Sequence, residues 1–296
     1  MRANNKGEIE KLIYIAGTAR SGSTILEILL SNSPYYCGAG ELTHFYNDAI
    51  NHNIHCSCQQ HAKDCPQWKT LYSRFSDDAG AAYKMTKFDS HKGFISQLLP
   101  LNSRATLRAA GKLNKQVLRS LIKRKPTTNT VIDSSKYCGR ALMLYRYTDV
   151  DTKVIFLTRS PAGLIHAFSK PNRYEQLPKS PFKTCCYYIL VTLSIFITKS
   201  LMKNSDFVCI DYETLKTSPE VIIHNIERAL DIDLSDQRHA LTELNGLQPG
   251  HIITGNRIRN KPTIHFDKRL SKYKIDTTAK CIAVFIMNLT KRALKL

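Results

Sequence analysis

Short apolar runs rich in β-branched residues alternate along the chain with longer stretches in which apolar positions recur every three or four residues. Four of the short runs, Leu12–Ala16, Thr130–Ile132, Val154–Thr158 and Phe207–Asp211, each lead into a turn or a helical pattern. Strands that alternate with helices predict a parallel sheet covered on both faces. In such sheets ligands sit beyond the carboxyl ends of the strands, so the residues after each run are where chemistry is expected. The predicted fold class is α/β, three layers with a central parallel sheet flanked by helices. The stretch from about 51 to 129 interrupts the alternation and reads as a helical insertion. No internal repeat, low-complexity tract or long linker divides the chain, so residues 1–296 are expected to form one domain.

The apolar stretch Tyr187–Ile197 falls short of the roughly 20 residues that cross a bilayer and reads as a buried core helix. The first ten residues hold no apolar run of signal-peptide length. Nine cysteines, an odd number with Cys185 and Cys186 adjacent, suit reduced thiols better than a disulfide framework. A cytoplasmic setting is therefore expected. A formal charge of +19 implies an anionic partner such as a nucleotide, an acidic glycan, nucleic acid or an anionic lipid headgroup. Arg104, Arg108, Lys112, Lys115, Arg119 and Lys123 recur at helical spacing opposite Leu113, Val117, Leu121 and Ile122. That cationic face could meet an acidic acceptor or rest peripherally on an anionic inner-membrane surface. Nucleic acid is not the expected partner, because the stripe carries no aromatic side chain for stacking on bases.

Chemistry concentrates after the first strand. Four residues separate Gly17 from Gly22, and Ser23 and Thr24 then open a helix. Backbone N–H groups and a helix N-terminus in this order cradle an anion, a P-loop-like arrangement. Ser23 stands where a nucleotide hydrolase or kinase carries its lysine, which disfavours a P-loop nucleotide kinase. Arg20 offers a planar donor fork for an oxyanion in its place. With Arg20, Ser21, Gly22, Ser23 and Thr24, the sequence Arg-Ser-Gly-Ser-Thr resembles the 5′-phosphosulfate loop of sulfotransferases that use 3′-phosphoadenosine 5′-phosphosulfate (PAPS). It is more similar to the bacterial and tyrosylprotein branches than to the cytosolic small-molecule branch.

Three further segments follow in the order of that family. Arg159 at the end of a strand, with Ser169 ten residues on, resembles its 3′-phosphate site. Tyr212, in Tyr-Glu-x-Leu, takes the place of a tyrosine packed near the nucleotide. The sequence around Gly255, Asn256, Arg257 and Arg259 resembles a loop that closes over the 3′-phosphate and adenine. If extended there, the chain would point Arg257 and Arg259 to one side. Singly, these segments would also fit a plain crossover turn, a strand-end arginine, a structural tyrosine and a solvated basic loop; the ordered set carries the resemblance. It implies a PAPS-dependent sulfotransferase that releases 3′,5′-ADP and sulfates a hydroxyl, with a carbohydrate or glycolipid as the expected acceptor.

The resemblance also implies catalytic residues. Arg20 and Lys136 match cations that neutralise sulfuryl oxygens. Glu41, in Cys-Gly-Ala-Gly-Glu-Leu, matches the position of a catalytic glutamate, with Pro34 and Gly38–Gly40 read as a flexible turn that brings it over the loop. His44 is the reserve base. Between His52 and Cys65 stand three thiols and three imidazoles, and Cys56, Cys58 and Cys65 are candidate zinc ligands. Cys56-x-Cys58 is tighter than a zinc knuckle and no second paired knuckle follows, so no metal is expected.

Overall fold

The computed structural model describes residues 8–123, 125, 127–171, 177–243, 246–269 and 273–294. Its first strand, β1 (Lys11–Gly17), is buried from Leu12 onward. A strand with no solvent face reads as a continuous apolar run because it lies mid-sheet. The elements follow in the order α1 (Ser23–Leu30), β2 (Tyr36–Gly38), α2 (Lys69–Asp77), α3 (Ala79–Thr86), α4 (His91–Leu98), α5 (Arg104–Ile122), β3 (Thr130–Lys136), α6 (Cys138–Tyr147), β4 (Asp151–Thr158) and α7 (Pro161–Ser169). Next come α8 (Pro181–Ser200), β5 (Phe207–Asp211), α9 (Tyr212–Thr217), α10 (Pro219–Leu230), α11 (Ser235–Thr242) and α12 (Thr278–Ala293). The five strands lie in the order β2-β3-β1-β4-β5, and every pairing is parallel. The fold is α/β.

Helices cover both faces. Leu26 and Leu29 of α1 pack with Ile222, Ile226 and Leu230 of α10 against Ile13, Ile15 and Ile155. On the opposite face Val117 and Leu118 of α5, Leu142 of α6 and Ile195 of α8 meet Leu12, Tyr14 and Val154. Chain order reverses about β1, which has β3 on one side and β4 on the other. The crevice at such a switch point opens beyond the carboxyl ends, where the loops after β1, β3 and β4 converge.

Two expectations are corrected. The segment at Pro34–Gly40 is not a flexible turn: Tyr36, Cys37 and Gly38 form an edge strand in register with Thr130, Val131 and Ile132. Three residues ending in glycine give no periodic signal, and the strand exists only because β3 offers its edge. The helix read as fully buried, α8, is buried on one face, while Leu190, Leu193 and Phe196 are exposed. By length and composition it could cross a membrane, yet its inner face packs against the sheet and other helices.

The β1–β3 ladder slips at its end. Tyr14 pairs with Asp133 but Ala16 pairs with Lys136, so β3 carries an extra residue there, and Lys136 takes a left-handed φ of 74°. Such a bulge re-aims a side chain. Beneath it, fully buried Arg140 donates through Nε to Asp133 at 2.7 Å and through Nη1 to Asp89 at 3.3 Å and Asn114 at 3.0 Å. Removing one partner of a buried ion pair strands the other charge, at a cost of about 3–5 kcal/mol. Thr43 joins through its hydroxyl to Asp89 at 2.7 Å, which ties the turn containing Glu41 and His44 to this core.

Candidate active site

Backbone conformation builds the loop after β1. Gly17 has φ 153°, and a Cβ on it would lie 2.6 Å from the Leu157 carbonyl of β4. Gly22, the residue before α1, has φ 95° and supplies no side-chain cap. The first amides of α1 are thus left for a ligand, as at anion-binding helix starts. Arg20 adopts φ 66° and lines a cavity of about 390 Å³ together with Gly22, Ser23 and Thr24. Ser21 does not line it: fully buried, it donates to the Thr18 carbonyl at 2.7 Å and braces the loop from inside.

Arg159, after β4, forms the far wall. Its Nη1 donates to the Arg20 carbonyl at 2.5 Å, and its guanidinium lies 4.6 Å from the centre of the Tyr212 ring. Buried Arg159 Nε has no hydrogen-bond partner among the described residues, while Nη2 donates to the Tyr273 hydroxyl at 3.2 Å. Ser169 is absent from the wall. It sits exposed, its hydroxyl turned back to the His166 carbonyl at 3.0 Å, while His166, Ala167 and Lys170 line the cavity instead. Lys170, the nearer cation, lacked any sequence pattern to single it out.

Asn256 lines the cavity beside Ile258, and its N–H donates to Thr24 Oγ1 at 3.1 Å. The extended reading of the following residues is corrected: 257–260 form a 3₁₀ turn capped by the Asn256 side chain. A turn sends alternate residues in different directions. Arg257 is exposed, and buried Arg259 donates through Nη1 to the carbonyls of His55 and Ile252, each at 3.0 Å. Neither lines the cavity.

Glu41 and Lys136 meet in an ion pair, with His44 Nε2 3.9 Å from the other carboxylate oxygen. Glu41 is placed by its backbone, since its N–H donates to Thr254 Oγ1 at 2.7 Å. A second cavity of about 500 Å³ lies beyond the pair and is lined by His44, His91, Tyr137, Lys179 and Tyr187. Tyr187 accepts from the Ala19 N–H at 2.8 Å, and burial pushes its hydroxyl up to about 12. Burial lowers the pKa of His91, which favours its neutral, proton-accepting form. His91 and Tyr187 escaped sequence reading because they come from helices far from the strand ends.

Glu27, on the inner face of α1, supports this corner. It accepts from the Gly40 N–H at 2.5 Å and contacts the Ser134 hydroxyl at 2.6 Å. Burial raises its pKa from 4.5 to about 8, so at pH 7 it is a neutral acid. The folded chain then holds this proton more tightly than the unfolded chain. That contribution to stability is complete below about pH 4.5 and is lost as pH rises through 8. Asp89, pushed by burial up to about 6, adds the same trend at lower pH. Glu27→Gln mimics the neutral acid, with its carbonyl toward Gly40 and its amide toward Ser134. Its urea midpoint is expected to gain on wild type progressively as pH is raised from 6 to 8; a constant gap would show that Glu27 does not titrate there.

No protein-family model matches the sequence, and no curated protein matches it. Among solved structures, the chain is similar to the sulfotransferase domain of the Synechococcus PCC 7002 olefin synthase, at 14% identity and TM-score 0.51, over 98% of this chain and 97% of that one. Two others are the sulfotransferase domain of the curacin biosynthetic pathway (14% identity, TM-score 0.48, 95% and 98% covered) and sulfotransferase STF1 of Mycobacterium tuberculosis H37Rv (13%, 0.49, 78% and 70%). At 14% identity the likeness to the olefin synthase domain shows the fold alone, a parallel sheet flanked by helices.

Proposed function

We propose that the protein is a sulfotransferase that takes a sulfuryl group from PAPS to a hydroxyl of an acceptor and releases 3′,5′-ADP. One observation carries this reading. The cavity at the β1 loop and the second cavity share Ala19, Glu41 and Lys136 in their walls, so a donor in the first and an acceptor in the second would meet at a carboxylate and an ammonium group.

The donor fits the residues present. The uncapped start of α1 with Ser23 and Thr24 suits the 5′-phosphosulfate, and the Arg159 guanidinium with Lys170, both lining the cavity, suits the 3′-phosphate. PAPS, when bound, supplies the sulfuryl group. The chain's own residues do the rest, because a loose transition state of this type needs alignment and charge neutralisation more than covalent help. Arg20 and Lys136 place positive charge where the sulfuryl oxygens and bridging oxygen gain negative charge. Glu41 accepts the proton of the acceptor hydroxyl, and Lys136 passes from partner of Glu41 to partner of the sulfuryl oxygens. Tyr212 packs against Arg159 and holds the wall in place.

The acceptor that suits the second cavity is a carbohydrate or glycolipid hydroxyl, since imidazoles, an ammonium and phenols offer hydrogen bonds and ring stacking. A cytoplasmic enzyme resting on the inner membrane surface would use the exposed Arg104, Arg108 and Lys112 of α5.

Calorimetry tests the donor site. The wild type is expected to bind 3′,5′-ADP and to bind ADP more weakly. Arg159→Ala should weaken 3′,5′-ADP about tenfold to 150-fold, the usual worth of a hydrogen bond to a charged group. Equal affinity for both nucleotides would favour a kinase instead.

A further inference from the structure

Cys56, Cys58 and Cys65 occupy one loop, and His251 arrives beside them from 186 positions along the chain from Cys65. We propose that these four side chains form a tetrahedral zinc site that fastens this loop to the segment leading into the Asn256 wall of the donor cavity. The inference rests on the ligand geometry and stands apart from the proposed reaction.

The distances suit the ion. Zinc–sulfur bonds near 2.3 Å and zinc–nitrogen bonds near 2.0–2.1 Å put tetrahedral S···S edges at about 3.8 Å and S···N edges at about 3.5 Å. Cys58 Sγ and Cys65 Sγ are 3.7 Å apart, and His251 Nδ1 lies 3.3 Å from Cys65 Sγ and 4.0 Å from Cys56 Sγ. All four ligand atoms fall within 4.8 Å of one another. No pair of these thiols is joined as a disulfide. Three soft thiolates and an imidazole select zinc over the hard cations, and four protein ligands make a closed, structural site.

The surroundings hold the ligands in place. Gln59 takes φ 67°, and the Cys56 N–H donates to the Gln60 carbonyl at 2.9 Å. This tight turn allows Cys56 and Cys58 to converge despite having one residue between them. The expectation of no metal rested on that short spacing and on the lack of a second knuckle; the turn answers the first point, and His251, which no local pattern could reveal, answers the second. Trp68 Nε1 donates to the His251 carbonyl at 2.9 Å, and Ser57 bonds both sides of the neighbouring backbone, from Gly250 O at 2.8 Å to Ile252 N at 2.8 Å. Arg259 reaches back to the carbonyls of His55 and Ile252. The 252–259 loop is therefore clamped at both ends, and the metal is the clamp nearer Ile252.

Elemental analysis of the full-length protein purified without chelator is expected to give one zinc per chain, and cobalt exchange should produce the intense visible bands of a tetrahedral thiolate site. His251→Ala should abolish stoichiometric metal, whereas His251→Cys should retain it as a four-thiolate site. Hydrogen exchange in residues 250–259 should quicken in wild type treated with a strong chelator, with α10 unchanged. Zinc-free protein with a Cys58–Cys65 disulfide in its mass spectrum would overturn the proposal, as would full zinc occupancy in His251→Ala. Should His251→Ala fail to fold, the His251→Cys metal content and the chelator experiment decide the matter.

Discussion

Replacing Glu41 by glutamine is expected to lower turnover by about 10²–10⁴-fold, the range typical of a lost general base, and to leave 3′,5′-ADP affinity no weaker. The substitution preserves shape. The Glu41 N–H keeps its bond to Thr254 Oγ1 and the neighbouring Gly40 stays held by Glu27, so the corner does not collapse. What the substitution removes is the carboxylate at the wall common to both cavities, the proposed proton acceptor, and with it the counter-charge of Lys136. An anionic nucleotide loses nothing when a negative charge leaves its cavity. Single-turnover rates and calorimetry on one preparation separate the two effects. If Glu41→Gln kept activity within tenfold of wild type, the base would lie elsewhere, with His44 and the neutral-leaning His91 next in line; the pH profile of the variant would then follow an imidazole.

A single methyl group at Gly22 is expected to weaken 3′,5′-ADP binding by about 100-fold, the scale of losing one hydrogen bond to a charged group. A Cβ there would lie 2.3 Å and 2.5 Å from two carbons of the Tyr212 ring, and φ 95° is costly for any other residue. Pushing that ring disturbs the Arg159 guanidinium, which stacks 4.6 Å from its centre, and Arg159 in turn grips the Arg20 carbonyl. Both ends of the nucleotide site would thus shift together. Removing the obstacle separates crowding from backbone strain. In the Gly22→Ala, Tyr212→Ala double variant, affinity should exceed that of Gly22→Ala alone, a coupling that neighbours sharing a contact display. Additive losses in calorimetry would mean that the strained backbone, not the ring, accounts for the effect.

The parts of this molecule visible in the sequence are those specified locally. β1 and the end of β4 announce themselves because strands buried on both faces read as apolar runs, and the loop after β1 because Gly17 and Gly22 take positive φ angles there without the clash of a Cβ. Arg20, Ser23, Thr24, Glu41, Lys136, Arg159, Tyr212 and Asn256 all line the cavity at the β1 loop; most follow directly on a strand, where the fold class concentrates chemistry. Long-range geometry was out of reach. Ser169 is the last residue of α7 and Lys170 its extended C-cap, so the point at which the helix stops decides which side chain enters the cavity. Arg257 and Arg259 part company because the chain turns where an extended run was expected. His251 joins three cysteines through tertiary structure alone, and β2 exists only as a borrowed edge.

The bulge in β3 bears on how this protein can be dissected. Lys136 reaches the wall between the cavities because β3 is one residue longer there than β1 requires. Its chemistry belongs to a side chain, but its address is set by a residue count. Substitution scanning interrogates the first and is blind to the second, because every point variant preserves the count. A one-residue deletion would flip the strand end to the opposite face, so insertions and deletions, rather than replacements, are the perturbations to which this position is most sensitive.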